Sequence, residues 1–207
     1  MAVTIIVDYD AGNLHSVARA CREVGLNAEV SPDPDVLRHA QRIVFPGVGA
    51  AGSAMASLRS RGLDEALREA IGKGIPVLGI CLGLQISLDT SEENNTTTLG
   101  LIAGEVKRFK LRDPSLKIPH MGWNEVVPCR SHPVLADIGE GDEFYFVHAY
   151  YPKPADENLI LAHTEYEDRF ASVVGRDNYV ATQFHPEKSG RVGLRLINNF
   201  ANWNGQC

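Results

Sequence analysis

The segment Ile75 to Gln85, IPVLGICLGLQ, constrains this chain more than any other, because it sets a cysteine at the peak of a strand-to-helix turn. The apolar run Pro76 to Ile80 reads as a buried strand and Leu82 to Leu88 as the start of a helix, with Gly79 and Gly83 flanking Cys81 symmetrically. This is the G-x-Nuc-x-G nucleophile elbow with sulfur in place of oxygen. The turn is tight and strained, so its flanking residues must be small, and it projects the central side chain outward at the helix N-terminus. The dipole and free N–H groups of a helix starting there favour an anion. The plainer alternative is a buried structural cysteine, as most free cysteines are.

Around the elbow the first ninety residues alternate short β-branched runs with amphipathic stretches. TIIVDYD, Leu14 to Val24, Ala28 to Val30, Pro34 to His39 and RIVFPG read strand, helix, strand, helix, strand, which means parallel pairing through crossovers. Helical pattern returns from Ala50 to Lys73, with Gly74 as its stop, so the elbow strand is expected to lie centrally in an open sheet. The segment TSEENNTTTLG after Leu88 reads as a surface loop, and its two N-x-T triplets as chance. Beyond it, GEVKRF, WNEVVP, EFYFVHAYY, LILAHT, FASVVG and YVATQF read as strands, with Arg176-Asp177-Asn178 as a hairpin connection. A closing helix is expected from about Val192 to Trp203. The expected fold is α/β: an open, largely parallel central sheet flanked by helices, with an antiparallel strand extension.

Composition narrows the function classes. The 207 residues suffice for one well-cored domain over residues 1–207, and no internal repeat or linker interrupts them. Twenty basic against 26 acidic residues, a formal charge of −6, leave no electrostatic footprint for nucleic acid or an anionic membrane. The apolar run near the N-terminus is too short for a signal peptide, so a cytoplasmic protein is expected. Cysteines at 21, 81, 129 and 207 show neither C-x-x-C pairing nor metal-ligand spacing, so no disulfide framework, metal or cofactor is indicated.

A cysteine nucleophile needs a base. Of seven histidines, His185 qualifies best: it follows the strand YVATQF, and Pro186 extends the backbone so that Glu187 points to the same side as the imidazole. A carboxylate there fixes the tautomer and stabilises imidazolium, although a surface H-P-E turn is the bland alternative. The elbow supplies one oxyanion donor, the N–H of Leu82, and a second must come from a neighbouring loop. Pro46-Gly47-Val48-Gly49 ends the strand RIVF at the same edge of the sheet, and its glycines permit a backbone turned toward substrate, if it is more than a tight turn.

Together GICLGLQ around Cys81 and QFHPEKS around His185 and Glu187 resemble the class I, triad-type glutamine amidotransferases. DYDAGNL, PGVG, PHMGWNEV (residues 119–126) and YFVHAYY (145–151) are similar to one branch of them, the glutaminase subunits of imidazole glycerol phosphate synthase, over essentially the whole chain. The resemblance implies hydrolysis of glutamine by Cys81, His185 and Glu187, with Val48 and Leu82 at the oxyanion. It implies Gly49, Gln85, His148, Ala149 and Tyr150 at the substrate. It also implies a (β/α)8 cyclase partner that receives the ammonia in histidine biosynthesis, forming a heterodimer, with Asn13, Trp123, Tyr145 and Lys188 near the ammonia exit or interface. An N–H near Val48 would reorient to complete the oxyanion hole. Trp123 reads equally as core or as interface anchor, exposure favouring the second, and the plainer alternative for Lys188 is an ordinary surface charge. His120 and His148 read as structural or substrate-lining.

Two departures stand out: Ala149 replaces a commoner Ser or Thr, and Asp10 in DYDAGNL adds a carboxylate to the commoner DYGMGNL, where a partner would dock. Three other functions stay open: a glutaminase feeding a different synthase, a non-catalytic regulatory subunit, and a free-standing cysteine hydrolase.

Overall fold

The computed structural model describes residues 3–206. Met1, Ala2 and Cys207 lie outside them. Four strands, β1 (Val3–Val7), β2 (Asn27–Ser31), β3 (Arg42–Gly47) and β4 (Val77–Cys81), pair in parallel. They are linked by α1 (Leu14–Glu23), α2 (Pro34–Arg38) and the consecutive α3 (Ala51–Ser60) and α4 (Leu63–Gly72). Local chemistry explains several of these boundaries. The Asp33 side chain caps α2 by accepting from the Asp35 N–H, and Pro34 fills the first helical position, where no N–H is needed. Gly62, at φ +67°, divides the expected Ala50–Lys73 helix in two, and Gly74, at φ +82°, ends it.

After β4 comes α5 (Leu82–Gln85), then β5 (Thr90–Ser91), β6 (Thr96–Thr97), β7 (Gly104–Arg108), β8 (His120–Glu125), β9 (Val127–Pro128), β10 (Glu143–His148) and β11 (Tyr150–Pro154). The chain continues through β12 (Ile160–Tyr166), β13 (Asp168–Arg176) and β14 (Tyr179–Thr182) to α6 (Gly190–Asn202). The main sheet has the order β2-β1-β3-β4-β14-β13-β12-β9, parallel from β2 to β14 and antiparallel beyond. The expected α/β fold with an antiparallel extension is therefore present, and β4 lies inside the sheet between parallel neighbours β3 and β14. All five of its residues are buried, which is why it reads as an unbroken apolar run.

Alternate side chains feed two cores, one on each face. Ile6, Val44, Leu78, Ile80 and Val180 pack with α1 and α6, while Ile5, Val7, Ile43, Phe45 and Val77 pack with α3 and α4.

The second half departs from its expected outline. EFYFVHAYY is two strands, because at Ala149 the chain changes partner: β10 pairs with β8 in a ribbon of its own, and β11 pairs with β7 in a separate four-stranded sheet. WNEVVP likewise divides between β8 and β9, and YVATQF ends at Thr182. TSEENNTTTLG is not a plain loop but holds β5, β6 and a 3-10 turn at Glu93–Asn95. The helix expected from Leu82 to Leu88 is one turn long. Beyond Gln85 the Ser87 carbonyl accepts from Leu101 and Ile102, so the chain is drawn into the neighbouring segment rather than continued as helix.

Both glycines of the elbow are dictated by neighbours. A Cβ on Gly79 would lie 2.5 Å from the Tyr179 hydroxyl, and one on Gly83 would fall on the backbone carbonyl oxygen of Phe45 in β3. Gly83→Ala should therefore destabilise the fold by about 1–3 kcal/mol in urea unfolding, the usual cost of overpacking against backbone. Wild-type stability in that variant would show that α5 can move off β3.

Candidate active site

Cys81 ends β4 opposite Gly47 of β3 and also caps α5, with φ +54° and ψ −104°. A non-glycine residue in that region stores roughly 1–3 kcal/mol of strain and persists only where its surroundings over-determine it. Here β3 holds one side, the close fit of Gly83 on Phe45 fixes the turn, and the Gln183 amide lies 3.7 Å from the Cys81 sulfur. Because α5 is a single turn, the strain and these contacts place the sulfur; a long helix dipole does not.

His185 lies just beyond β14 and is tied to β10: its N–H donates to the Tyr145 carbonyl at 2.9 Å, and the Ser189 hydroxyl donates to the His185 carbonyl at 2.6 Å while accepting from the Tyr145 N–H. His185 Nδ1 donates to Glu187 Oε1 at 2.8 Å, and Asn13 Nδ2 donates to the same oxygen at 3.0 Å. The His185–Glu187 pairing is as expected, but its geometry is not: Pro186–Lys188 is a 3-10 turn, which folds Glu187 back rather than alternating it along a strand. His185 Nε2 has no oxygen or nitrogen partner among the described residues and is left to the Cys81 sulfur. Both side chains of the pair are fully buried. Burial opposes the imidazolium, but the Cys81 sulfur and the Glu187 carboxylate outweigh it and hold His185 up, at about 10. Burial likewise raises Glu187, and the bonds from His185 and Asn13 overcome it, so the carboxyl sits below its ordinary range.

Cys81 and His185 open on a cavity of about 300 Å³, which Val48, Gly49, Leu82, Gln85, His148, Ala149 and Tyr150 also line. Larger clefts, such as one of about 580 Å³ beside Cys129 and Arg130, hold no triad member, so chemistry rather than size selects the site. Gly49, at φ +96°, uses the freedom expected of PGVG. Gln85 Nε2 donates both to the Tyr150 carbonyl (2.9 Å) and to Gln183 Oε1 (3.2 Å), which fixes the orientation of its amide.

Two groups escape sequence reasoning. Glu93 lines the cavity and accepts from the Ala51 N–H at 2.6 Å, from a segment too polar to suggest anything but loop. Gln183 stands two residues before His185, and only the pairing of β14 with β4 brings it to the sulfur. Asn13, expected near the ammonia exit or interface, is buried and bonded to Glu187, a long-range contact that no local pattern announces. Trp123 and Lys188 lie outside the cavity, exposed, with the Trp123 and Tyr145 rings edge-on at 6.2 Å and Lys188 Nζ 5.9 Å over Tyr145. Asp10 is no free docking charge: at φ +73° it accepts from Ser57 and Arg61, which gives the added carboxylate partners within the chain.

The raised His185 sets a pH signature. Stability from its charged pairing is complete below its unfolded value, near 6.5, and lost as pH rises through about 10. Glu187→Gln should cost about 3 kcal/mol at pH 7, and the gap to wild type in denaturant unfolding should shrink as pH approaches 10. A gap that widened with pH would refute the ion pair.

The chain matches the family model described as glutamine amidotransferase class-I over residues 5–203. It is 47% identical to the imidazole glycerol phosphate synthase subunit HisH of Neisseria meningitidis serogroup B, over 97% of this chain and 99% of that protein. It is 50% identical to the protein of the same name from Desulfovibrio desulfuricans, over 94% and 92%. Among solved structures, that of PurLQS from Thermotoga maritima superposes with a TM-score of 0.76 at 18% identity, covering 97% of this chain and 98% of that one, and so speaks to the fold. With an elbow cysteine, a buried His–Glu pair and this likeness along nearly its full length, the chain belongs to the class-I glutamine amidotransferases, in the HisH family of imidazole glycerol phosphate synthase subunits.

Proposed function

We propose that this protein hydrolyses glutamine to glutamate and ammonia as the glutaminase subunit of an imidazole glycerol phosphate synthase, a cytoplasmic enzyme of histidine biosynthesis. The observation that carries this reading is His185, fully buried, with Nδ1 on Glu187 and Nε2 left to Cys81 at the wall of one cavity. Cys81 gives its proton to His185 and attacks the side-chain amide carbon of glutamine. The resulting oxyanion is met by the N–H groups of Leu82 and Val48. His185 returns the proton to the departing nitrogen, ammonia leaves, and a glutamyl thioester remains. Water, deprotonated by His185, then hydrolyses the thioester to glutamate and restores the thiol. Gly49, Gln85, His148, Ala149 and Tyr150 hold the substrate. The Gln85 amide, having spent both N–H groups internally, offers its oxygen to the substrate ammonium, and Glu93 adds a carboxylate to the same cavity. Ala149 has no hydroxyl to contribute, so its backbone must serve.

The ammonia is consumed by a (β/α)8 cyclase bound as a heterodimer. The β8–β10 ribbon supports this surface: it exposes Met121 (62%) and Trp123 (54%), large apolar side chains better suited to an interface than to water, beside Tyr145 and Lys188. Asn13, Trp123, Tyr145 and Lys188 border the ammonia exit. Among the described residues no helix is long and apolar enough to cross a membrane.

Glutaminase turnover measured with and without the cyclase and its ligand tests the reading, and strong stimulation is expected. Cys81→Ala should abolish glutamine-dependent synthesis while ammonia-dependent synthesis continues; survival of the former would overturn the mechanism. Trp123→Ala should weaken cyclase binding by about 2 kcal/mol or more, measured by calorimetry. Vigorous turnover of the isolated chain, indifferent to any partner, would instead indicate a free-standing hydrolase.

A further inference from the structure

In the wall of the substrate cavity His148 pairs with His120, a buried imidazole pair that the triad does not use. Their proton positions follow from their partners. His148 Nδ1 lies 2.7 Å from the Tyr150 carbonyl, which can only accept, so Nδ1 carries a proton. Burial holds His148 at about 3 and His120 at about 4, so both rings are neutral at physiological pH. His148 Nε2 is then an acceptor, and His120 Nδ1, 3.0 Å away, must donate to it. That leaves His120 Nε2 as an acceptor, met at 3.2 Å by Asn124 Nδ2.

The chain ends on backbone. Asn124 Nδ2 also donates to the Glu165 carbonyl at 2.8 Å, and its Oδ1 accepts from the Glu125 N–H at 2.8 Å, so the amide cannot turn over without losing both bonds. His120 is stacked between Phe146 and Tyr166, with centroids 4.9 and 4.0 Å away, which fixes its ring plane. Only one arrangement of protons satisfies every member. At the near end, the Tyr150 carbonyl that receives His148 is the same one that receives Gln85, whose other N–H goes to Gln183, itself 3.7 Å from the Cys81 sulfur.

We propose that His120 and Asn124 are positioning residues of the glutaminase site: with His148 they form a hydrogen-bond chain of single proton order that fixes the Tyr150 carbonyl and so aims the Gln85 oxygen into the cavity. The proposal rests on the function given above. It gives the inward side of the PHMGWN strand a task of its own, since β8 turns Met121 and Trp123 outward and His120 and Asn124 inward.

Two variants and one spectroscopic measurement test it, on the full chain with its cyclase partner. His120→Phe keeps the aromatic stack and removes both hydrogen bonds. Glutamine KM should rise about tenfold, the worth of about one hydrogen bond, with kcat changing far less, because Cys81 and His185 are untouched. Asn124→Asp presents acceptors only, so His120 must carry a proton on Nε2. Keeping its Nδ1–H bond to His148 as well makes His120 an imidazolium paired with the new carboxylate, and loss of that second proton breaks the chain at His148. The titratable groups facing His148 are His120 and His185, and the charge on His185 opposes a second cation here. The glutamine KM of Asn124→Asp should therefore vary with pH across about 5 to 7, the range of histidine titration, where the wild-type KM is flat. Nitrogen-15 spectra of the wild-type histidine rings should show His148 protonated at Nδ1 alone and not titrating there.

A His148 ring protonated at Nε2, or an unmoved KM in both variants when folded and bound to the cyclase, overturns the proposal alone. Absence of wild-type glutaminase turnover with the cyclase and its ligand would overturn the function on which it rests. Should either variant fail to fold, the wild-type ring spectra still decide the proton order.

Discussion

The backbone of Cys81 is the constraint on which the rest of the site depends. A non-glycine residue at φ +54° and ψ −104° is not held there by any local preference. It is held because β4 is locked between β3 and β14, both parallel, and because α5 begins against the carbonyl of Phe45 with no room for a side chain at Gly83. The strain puts the sulfur at the carboxyl edge of the sheet, where loops from several strands converge, and an open α/β sheet offers its ligands that same edge. A cysteine in a relaxed strand would point into one of the two cores instead.

Around this fixed sulfur the polar groups form a nearly continuous buried network. Asn13, Glu187 and His185 approach from one side, and Gln183, Gln85, the Tyr150 carbonyl, His148, His120 and Asn124 from the other. Burial makes each unmet partner expensive, so each bond restricts the next, and orientation is transmitted over distances that no single side chain spans. The two arms differ electrically. The triad arm carries a paired charge, with His185 raised and Glu187 lowered, whereas the histidine pair is held neutral by desolvation. Keeping His148 uncharged avoids a second cation beside the His185 imidazolium.

Much of this was legible in the sequence. The alternation of apolar runs and amphipathic stretches located β1 to β4 and their helices to within a few residues, because each buried strand is short, β-branched and punctuated by glycine or proline. The elbow was readable because its glycines sit at fixed offsets from the nucleophile. His185 and Glu187 were recognisable as partners, although an extended strand was the wrong reason and a 3-10 turn the right one. The antiparallel half was less legible: the break at Ala149 is a change of pairing partner in a run of good strand formers, and such a break leaves no mark on hydrophobic pattern. The helical pattern from Ala50 to Lys73 does not show the break between α3 and α4, because one glycine within such a pattern is often tolerated, whereas Gly62 adopts a positive φ.

By itself, then, the sequence determined the kind of chemistry, the parallel sheet and the residues of the triad, since those depend on residue type and short-range spacing. Tertiary structure decided which distant groups complete the site. Asn13 reaches Glu187 across 174 positions, Gln183 reaches Cys81 across 102, and Glu93 enters the cavity from a stretch that reads as solvent-exposed loop. It also decided the surface: Trp123 lies outward and Asp10 is engaged by Arg61 and Ser57 rather than free. The physical reason is the same throughout. Local propensity and periodicity are encoded over a few residues, while the donors and acceptors of a buried polar network are chosen by which strands lie side by side.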